Sequence, residues 1–294
     1  MFILKYKSIF IGISIALVAI SLFAINTTGL KKGIDFTGGT VIEIVYDKTA
    51  PDVLSMTALK DLNTKAYQTG EGKFKLISSE NYETLTKAIR PILSVNEANP
   101  YTETQVSTVG PSLGKEMTQK AMIAITMVVL AILVFISFAF RAVSLPVSSW
   151  KYGVIAMITL IHDIIIPAGV YVWLGVKFGA EVDTLFIIAL LTVMGISISD
   201  KIVVFDRIRE NLKANPKAKG VDFAHVVGKS LQQTFTRSVM TSLTVILALI
   251  ALYVYGPEAT HNFAITLIVG MIVGTYSSIF VASPLLVVLE SRQK

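Results

Sequence analysis

The chain has 294 residues, 53% hydrophobic and 16% charged, where a soluble domain carries about 25% charged residues. Its formal net charge is +6, from 26 Lys and Arg against 20 Asp and Glu, and its mean hydropathy is +0.67. The apolar surplus marks an integral membrane protein. The lack of cysteine excludes disulfides and thiolate metal sites, and basic residues beside apolar segments point to membrane orientation rather than to nucleic acid.

MFILKYKS followed by IFIGISIALVAISLFAI has the layout of a signal peptide, but no small-x-small cleavage site closes it. We read it as an uncleaved anchor and first transmembrane helix. A bilayer core of about 30 Å needs about 20 apolar residues in a helix. That measure gives six spans, near 8–26, 119–140, 153–175, 184–204, 237–256 and 262–289. The expected fold is a mainly α membrane protein. It divides into a first helix (1–29), an extracytoplasmic α+β domain (30–118) and a five-helix bundle (119–294) with a cytoplasmic loop at 205–236.

Within 30–118, GIDFTGGT (33–40) opens the domain, and its Gly38 and Gly39 permit backbone angles closed to other residues. It is neither a GxGxxG nucleotide loop nor a P-loop, and by itself it reads as a turn feeding a strand. TVIEIVY (40–46) alternates as a strand. Val53, Met56, Leu59, Leu62 and Tyr67 recur at roughly helical spacing over 52–68. KFKLIS (73–78) is a second strand, 81–93 a helix with Pro91 near its end, and YTETQVSTV (101–109) a third strand. Gly110 and Pro111 lead into the second span.

Orientation follows from the short connections. Lys5, Lys7, Arg141, Lys151, Arg207, Arg209, Lys213, Lys217, Lys219, Lys229, Arg292 and Lys294 fall on one side if all six helices span. The opposite loops, GVKFGAEVD and YGPEATHN, are nearly free of Lys and Arg. The positive-inside rule makes the basic side cytoplasmic, with both termini on it.

In the third span His162 and Asp163 sit side by side near mid-membrane, followed by Pro167 and Gly169. Histidine relays protons near neutral pH; structural hydrogen bonding to another helix is the equal alternative. With three His, no HxxxH pair and no Cys, a metal site is disfavoured. The fourth span carries Asp200, with Ser197 and Ser199 adding polarity. A carboxylate at membrane depth costs roughly 2.5–3.5 kcal/mol on insertion scales. It binds protons, or else pairs structurally near the helix end. Beyond Asp200, FDRIREN continues the helix, Pro216 and Gly220 break it, and Phe223, Val226, Val227, Leu231 and Phe235 form an apolar stripe read as an interfacial helix. Arg237 opens the fifth span, with Thr241 and Thr244 on the same stripe. It is either the partner of Asp200 or a headgroup-level arginine. In the sixth span Gly270, Gly274, Ser278 and Ala282 form a small-residue ridge, which predicts close helix contact rather than chemistry.

Five segments in order resemble the SecF family, the smaller membrane subunit of the SecD–SecF export complex. They are Ile34-Asp35-Phe36-Thr37-Gly38-Gly39-Thr40, the Val109–Gly114 entry to the second helix, Ile161-His162-Asp163, the Ser199–Asn211 segment, and Thr236-Arg237 with Met240–Thr244. The resemblance implies a resistance-nodulation-division type bundle, not an enzyme and without a cofactor other than protons as coupling ion. It implies as partners a SecD-like subunit, the Sec protein-conducting channel with its insertase, unfolded exported polypeptides and the lipid membrane. Asp200 matches the family's intramembrane Asp and Arg237 its fifth-helix Arg, and Ser199 stands where Asn is usual. The function implied is proton-driven assistance of translocation across, or insertion into, the cytoplasmic membrane. The alternatives are a translocon scaffold without proton coupling and a small-molecule proton antiporter.

Overall fold

The computed structural model describes residues 2–46, 53, 59, 64–93, 101–139, 149–214 and 221–291. The helix expected over 52–68 lies outside them except at 53, 59 and 64–68, and the break at Pro216 and Gly220, with Arg141, Lys217, Lys219, Arg292 and Lys294, lies outside them altogether. Among the described residues, six helices are long and apolar enough to cross a membrane. They are α1 (Lys7–Thr28), α3 (Pro111–Ala139), α4 (Ser149–Phe178), α5 (Thr184–Ala214), α6 (Val221–Tyr255) and a final span of α7 (His261–Ser277), a π-helical segment (Ser278–Ala282) and α8 (Ser283–Ser291). The chain is thus a mainly α, six-span membrane protein with a small α+β extracytoplasmic domain between the first two spans.

Contacts divide the chain into two compact units, with boundaries inside continuous helices: 1–29, 124–172 and 185–294 in one, 30–123 and 173–184 in the other. In the second unit, β1 (Gly39–Tyr46), β2 (Thr64–Gly70), β3 (Lys73–Ser78) and β4 (Tyr101–Val109) form an antiparallel sheet in the order β2-β3-β1-β4. Alternation puts Ile42, Ile44 and Tyr46 of β1 in a core with Phe74 and Leu76 of β3. The helix α2 (Tyr82–Leu93) adds Leu85, Ile89 and Leu93 to it, and Val53 and Leu59 join. The sequence reading had three strands. Residues 64–70 are a fourth, because Glu71 and Gly72 (φ 69°) turn the chain so that Thr64–Gly70 pairs with Lys73–Ser78 as a hairpin. Tyr67 belongs to that strand, not to a helix.

The glycine pair is a backbone requirement. Gly38 and Gly39 have φ of 76° and 129°. A Cβ on Gly39 would lie 2.3 Å from the carbonyl oxygen of Ser78, and one on Gly114 2.9 Å from the amide nitrogen of Gly38. The turn, β3 and the first residues of α3 meet backbone to backbone. Asp35 accepts a hydrogen bond from the Thr184 amide at 2.8 Å, satisfying a free N–H at the start of α5. Phe36 and Pro111 are the neighbours whose backbones line this junction, whereas Gly110 is exposed with open space at its Cβ position.

In the first unit the core runs through Tyr152, Ile155 and Leu160 of α4, Val204, Phe205 and Ile208 of α5, and Phe223, Val227 and Leu231 of α6. Of the apolar stripe, Phe223, Val226, Val227 and Leu231 are buried in a core shared with Ile208 and Leu212 at the end of α5, while Phe235 is exposed. Nothing interrupts the hydrogen-bond ladder from Val221 to Tyr255, so stripe and fifth span are one helix. The ridge on α7 packs within the chain. A Cβ on Gly270 would stand 2.1 Å from Val193 Cγ2, and one on Gly274 3.1 Å from Ser197 Cβ, so only hydrogen lets α7 approach α5 this closely. Lys151 and Glu290, 2.7 Å apart, tie the start of α4 to α8.

Candidate functional site

Two carboxylates from neighbouring helices reach the interior of the first unit, and they are held in different ways. Asp163 of α4 is fully buried. Its Oδ1 accepts from His162 Nδ1–H at 2.8 Å. Its Oδ2 accepts from Lys201 Nζ at 2.5 Å, from Ser277 Oγ at 2.8 Å and from Ser197 Oγ. Lys201, itself fully buried, also donates to Ser197. Every donor is directed at an ionised carboxylate, which only accepts, and a fully buried ammonium stands against it. The pair adds no net charge to the interior. Pro167 belongs to the same place: it has no N–H to give the Asp163 carbonyl one turn earlier.

Asp200 of α5 is half-buried. Its Oδ1 accepts from Ser238 Oγ of α6 at 2.5 Å and its Oδ2 from Ser278 Oγ. No charged group among the described residues bonds to it. The adjacent Lys201 points at Asp163 and Arg237 is exposed. Asp200 and Arg237 do not form an ion pair in this chain.

The expected residues therefore separate into two groups. The structure brings His162, Asp163 and Ser197 together and puts Gly274 against Ser197. Arg237, Thr241 and Thr244 share a stripe as the spacing said, but it is the exposed one, with Thr244 donating back to the Met240 carbonyl. Ser199 is exposed as well. One residue further round α6, Ser238 and Ser242 turn inward, to Asp200 and to Thr275. At about 100° per residue, that offset separates a stripe facing out from one facing in.

Sequence reasoning missed Lys201, Ser238, Ser277 and Ser278. Lys201 carried a signal: a lysine inside an apolar helix, four residues after Ser197 and beside Asp200, needs a buried anion. The serines carried none, since hydroxyls are common in membrane helices. His162 is buried, and its Nε2 has no hydrogen-bond partner among the described residues. Among those residues no group of three or more His, Asp or Glu could hold a metal ion.

Residues 92–292 match the family model described as protein export membrane protein SecD/SecF, C-terminal, and residues 23–50 match the SecD/SecF GG motif. The protein translocase subunit SecF of Thermobaculum terrenum is 38% identical, over 99% of this chain and 94% of that protein. SecF of Anaerolinea thermophila is also 38% identical, over the same shares. The crystal structure of SecDF, a translocon-associated membrane protein from Thermus thermophilus, aligns with a TM-score of 0.80 and 32% identity over 99% of this chain. This chain spans 38% of that longer one.

Proposed function

The chain belongs to the SecD/SecF family, as a SecF-type subunit, and from that premise we propose that it is half of a SecD–SecF complex using the proton-motive force to assist polypeptide translocation or insertion. Its place among SecF proteins supports the role in translocation. Proton coupling is supported by one observation: among the described residues, Asp200 is a half-buried membrane carboxylate held only by the hydroxyls of Ser238 and Ser278. Such an acid can take up a proton without stranding a cation. Asp163 cannot, because Lys201 would be left buried without its counter-ion.

In this reading Asp200 binds and releases the proton, and His162, Asp163 and Lys201 form the fixed charge centre beside it. Arg237, exposed in the isolated chain, acts on Asp200 only after rearrangement or through a SecD-like partner. Lys5, Lys7, Lys151, Arg207, Arg209, Lys213 and Lys229 set both termini on the cytoplasmic side. The channel, its insertase and an unfolded polypeptide complete the assembly.

The test is export into vesicles containing the complex with its SecD-like partner. Asp200→Asn is expected to abolish the stimulation by proton-motive force while the complex still assembles. Unchanged stimulation would sink the motor reading and leave the scaffold, for which the self-satisfied Asp163–Lys201 pair is the natural core.

A further inference from the structure

Ser277 and Ser278 are consecutive residues on the last span, yet they bond to carboxylates from two different helices. Ser277 Oγ donates to Asp163 Oδ2 at 2.8 Å and Ser278 Oγ to Asp200 Oδ2. Both side chains are fully buried. They stand where the helix changes from α to π geometry, since α7 ends at Ser277 and the π-helical segment begins at Ser278. Such π-helical insertions recur at functional sites.

Each hydroxyl also has a second acceptor in reach. Ser277 Oγ lies 3.0 Å from the Gly274 carbonyl, and Ser278 Oγ 3.0 Å from the Thr275 carbonyl. A serine has one O–H to donate, so each is a two-position rotor, aimed at its carboxylate or at its own helix. The same two carbonyls share the Ser278 amide, whose N–H reaches both Gly274 O and Thr275 O. Rotor position and backbone bonding at the junction therefore compete for the same acceptors.

We propose that Ser277 and Ser278 couple the proton occupancy of Asp200 to the Asp163–Lys201 pair through the α-to-π junction of the last span. The proposal rests on the reading of Asp200 as a proton site. With Asp200 ionised, Ser278 O–H points to its Oδ2. When Asp200 takes up a proton, its own O–H donates to Ser278 Oγ, and the serine hydroxyl turns to the Thr275 carbonyl. That carbonyl, now accepting a hydroxyl as well, holds the Ser278 amide less tightly, and the amide bonds more strongly to Gly274 O. Gly274 O is the second acceptor of Ser277, so the bond that Ser277 already makes to Asp163 is strengthened. No proton is lost from the count: one arrives at Asp200, and the hydroxyls only reorient. The groups facing Asp200 are Ser238 from α6 and Ser278 from the last span. Those facing Asp163 are His162, Ser197, Lys201 and Ser277. Ser277 and Ser278 are positioning residues for the proton.

The test is pH-step infrared difference spectroscopy on the complex with its SecD-like partner in liposomes, following the protonated-carboxyl band that Asp200→Asn removes. Ser278→Ala is expected to change the proton affinity of Asp200 by roughly tenfold, the weight of one hydrogen bond to a charged group. Ser277→Ala, which does not touch Asp200, is expected to change it by at least about fivefold, a modest coupling, and Ser277→Thr to restore it. If Ser277→Ala fails to assemble with the partner, Ser277→Cys, a weak donor, carries the same expectation. A midpoint unmoved by Ser277→Ala or Ser277→Cys, with Ser278→Ala shifted, overturns the coupling and leaves Asp200 as the proton site. Absence of any Asp200-dependent band overturns the proton-site reading, and the coupling with it.

Discussion

Replacing Lys201 by Met separates a structural pair from a decorative one. Lys201 and Asp163 are both fully buried, with Nζ 2.5 Å from Oδ2. Met fills nearly the same volume, so the change is almost purely electrostatic. Removing one partner of a buried ion pair costs about 3–5 kcal/mol, because the other charge is left uncompensated. The hydrogen bonds to Asp163 from His162, Ser197 and Ser277 remain and hold the loss toward the lower end. Removing both charges, as Asp163→Asn with Lys201→Met, is expected to cost about 1–2 kcal/mol, since pairs of this kind are often replaceable by neutral groups. Unfolding by SDS in mixed micelles reads all four members of the cycle. The expected signature is a double variant more stable than Lys201→Met alone, with a coupling of at least about 1.5 kcal/mol. A Lys201→Met chain within about 0.5 kcal/mol of the parent would refute the buried pair.

Three further outcomes follow from the packing. Gly270→Ala forces a methyl to 2.1 Å from Val193 Cγ2 and is expected to cost about 1–3 kcal/mol, while Gly274→Ala, with its nearest atoms at 3.1 Å, costs less; SDS unfolding reads the order, and the reverse order would refute the close approach of α7 to α5. Gly39→Ala puts a Cβ 2.3 Å from the Ser78 carbonyl at a φ of 129°, so the extracytoplasmic domain is expected to lose protease resistance, whereas Gly110→Ala, with open space around it, leaves digestion unchanged. Burial raises the pKa of Glu181 from its ordinary 4.5, with Lys75, Lys65 and Lys31 pulling the other way. A raised acid binds its proton better folded than unfolded, so stability declines as pH climbs from about 4.5 through the folded value. Glu181→Gln is expected to flatten that slope in a pH series of thermal melts, and an unchanged slope would assign it to another group.

The spans were legible because length and apolar run suffice for a helix that satisfies its own backbone in lipid. The glycine pair was legible as a turn, but not its reason, since the Ser78 carbonyl lies 39 residues further along the chain. The β2–β3 hairpin escaped because its first strand mixes Lys65, Tyr67 and Gln68 without clean alternation. Its turn signal at Glu71 and Gly72 was outweighed by helical spacing earlier in the segment. The site divided in the same way. Asp163, His162 and Asp200 announced themselves by the cost of putting them in lipid. What could not be read is which partner each one finds. Arg237 and Ser238 are one residue apart on α6, and only the rotation of that helix decides which of them faces Asp200.

That rotation bears on the proposed division of labour between the two carboxylates. A membrane interior tolerates a permanent charge when an opposite one is fixed beside it, and Lys201 does this for Asp163. A carboxylate with a fixed cation cannot be neutralised without exposing that cation to the same penalty. If one of the two sites changes charge, as we propose, it is the one whose partners among the described residues are neutral, and Asp200 has Ser238 and Ser278. If α6 were turned by one residue, Arg237 would take the place of Ser238, and Asp200 would become a second fixed pair. An arginine kept one residue out of register is thus a charge that a helix rotation of about 100° would bring to bear. Cross-linking between cysteines at 241 and 275, compared with 242 and 275, tests this on the assembled complex with Asp200 and Arg237 in place. The 242–275 pair is expected to dominate at rest. A 241–275 link that grows under proton-motive force would identify α6 rotation as the movement, and one that stays at background would exclude it.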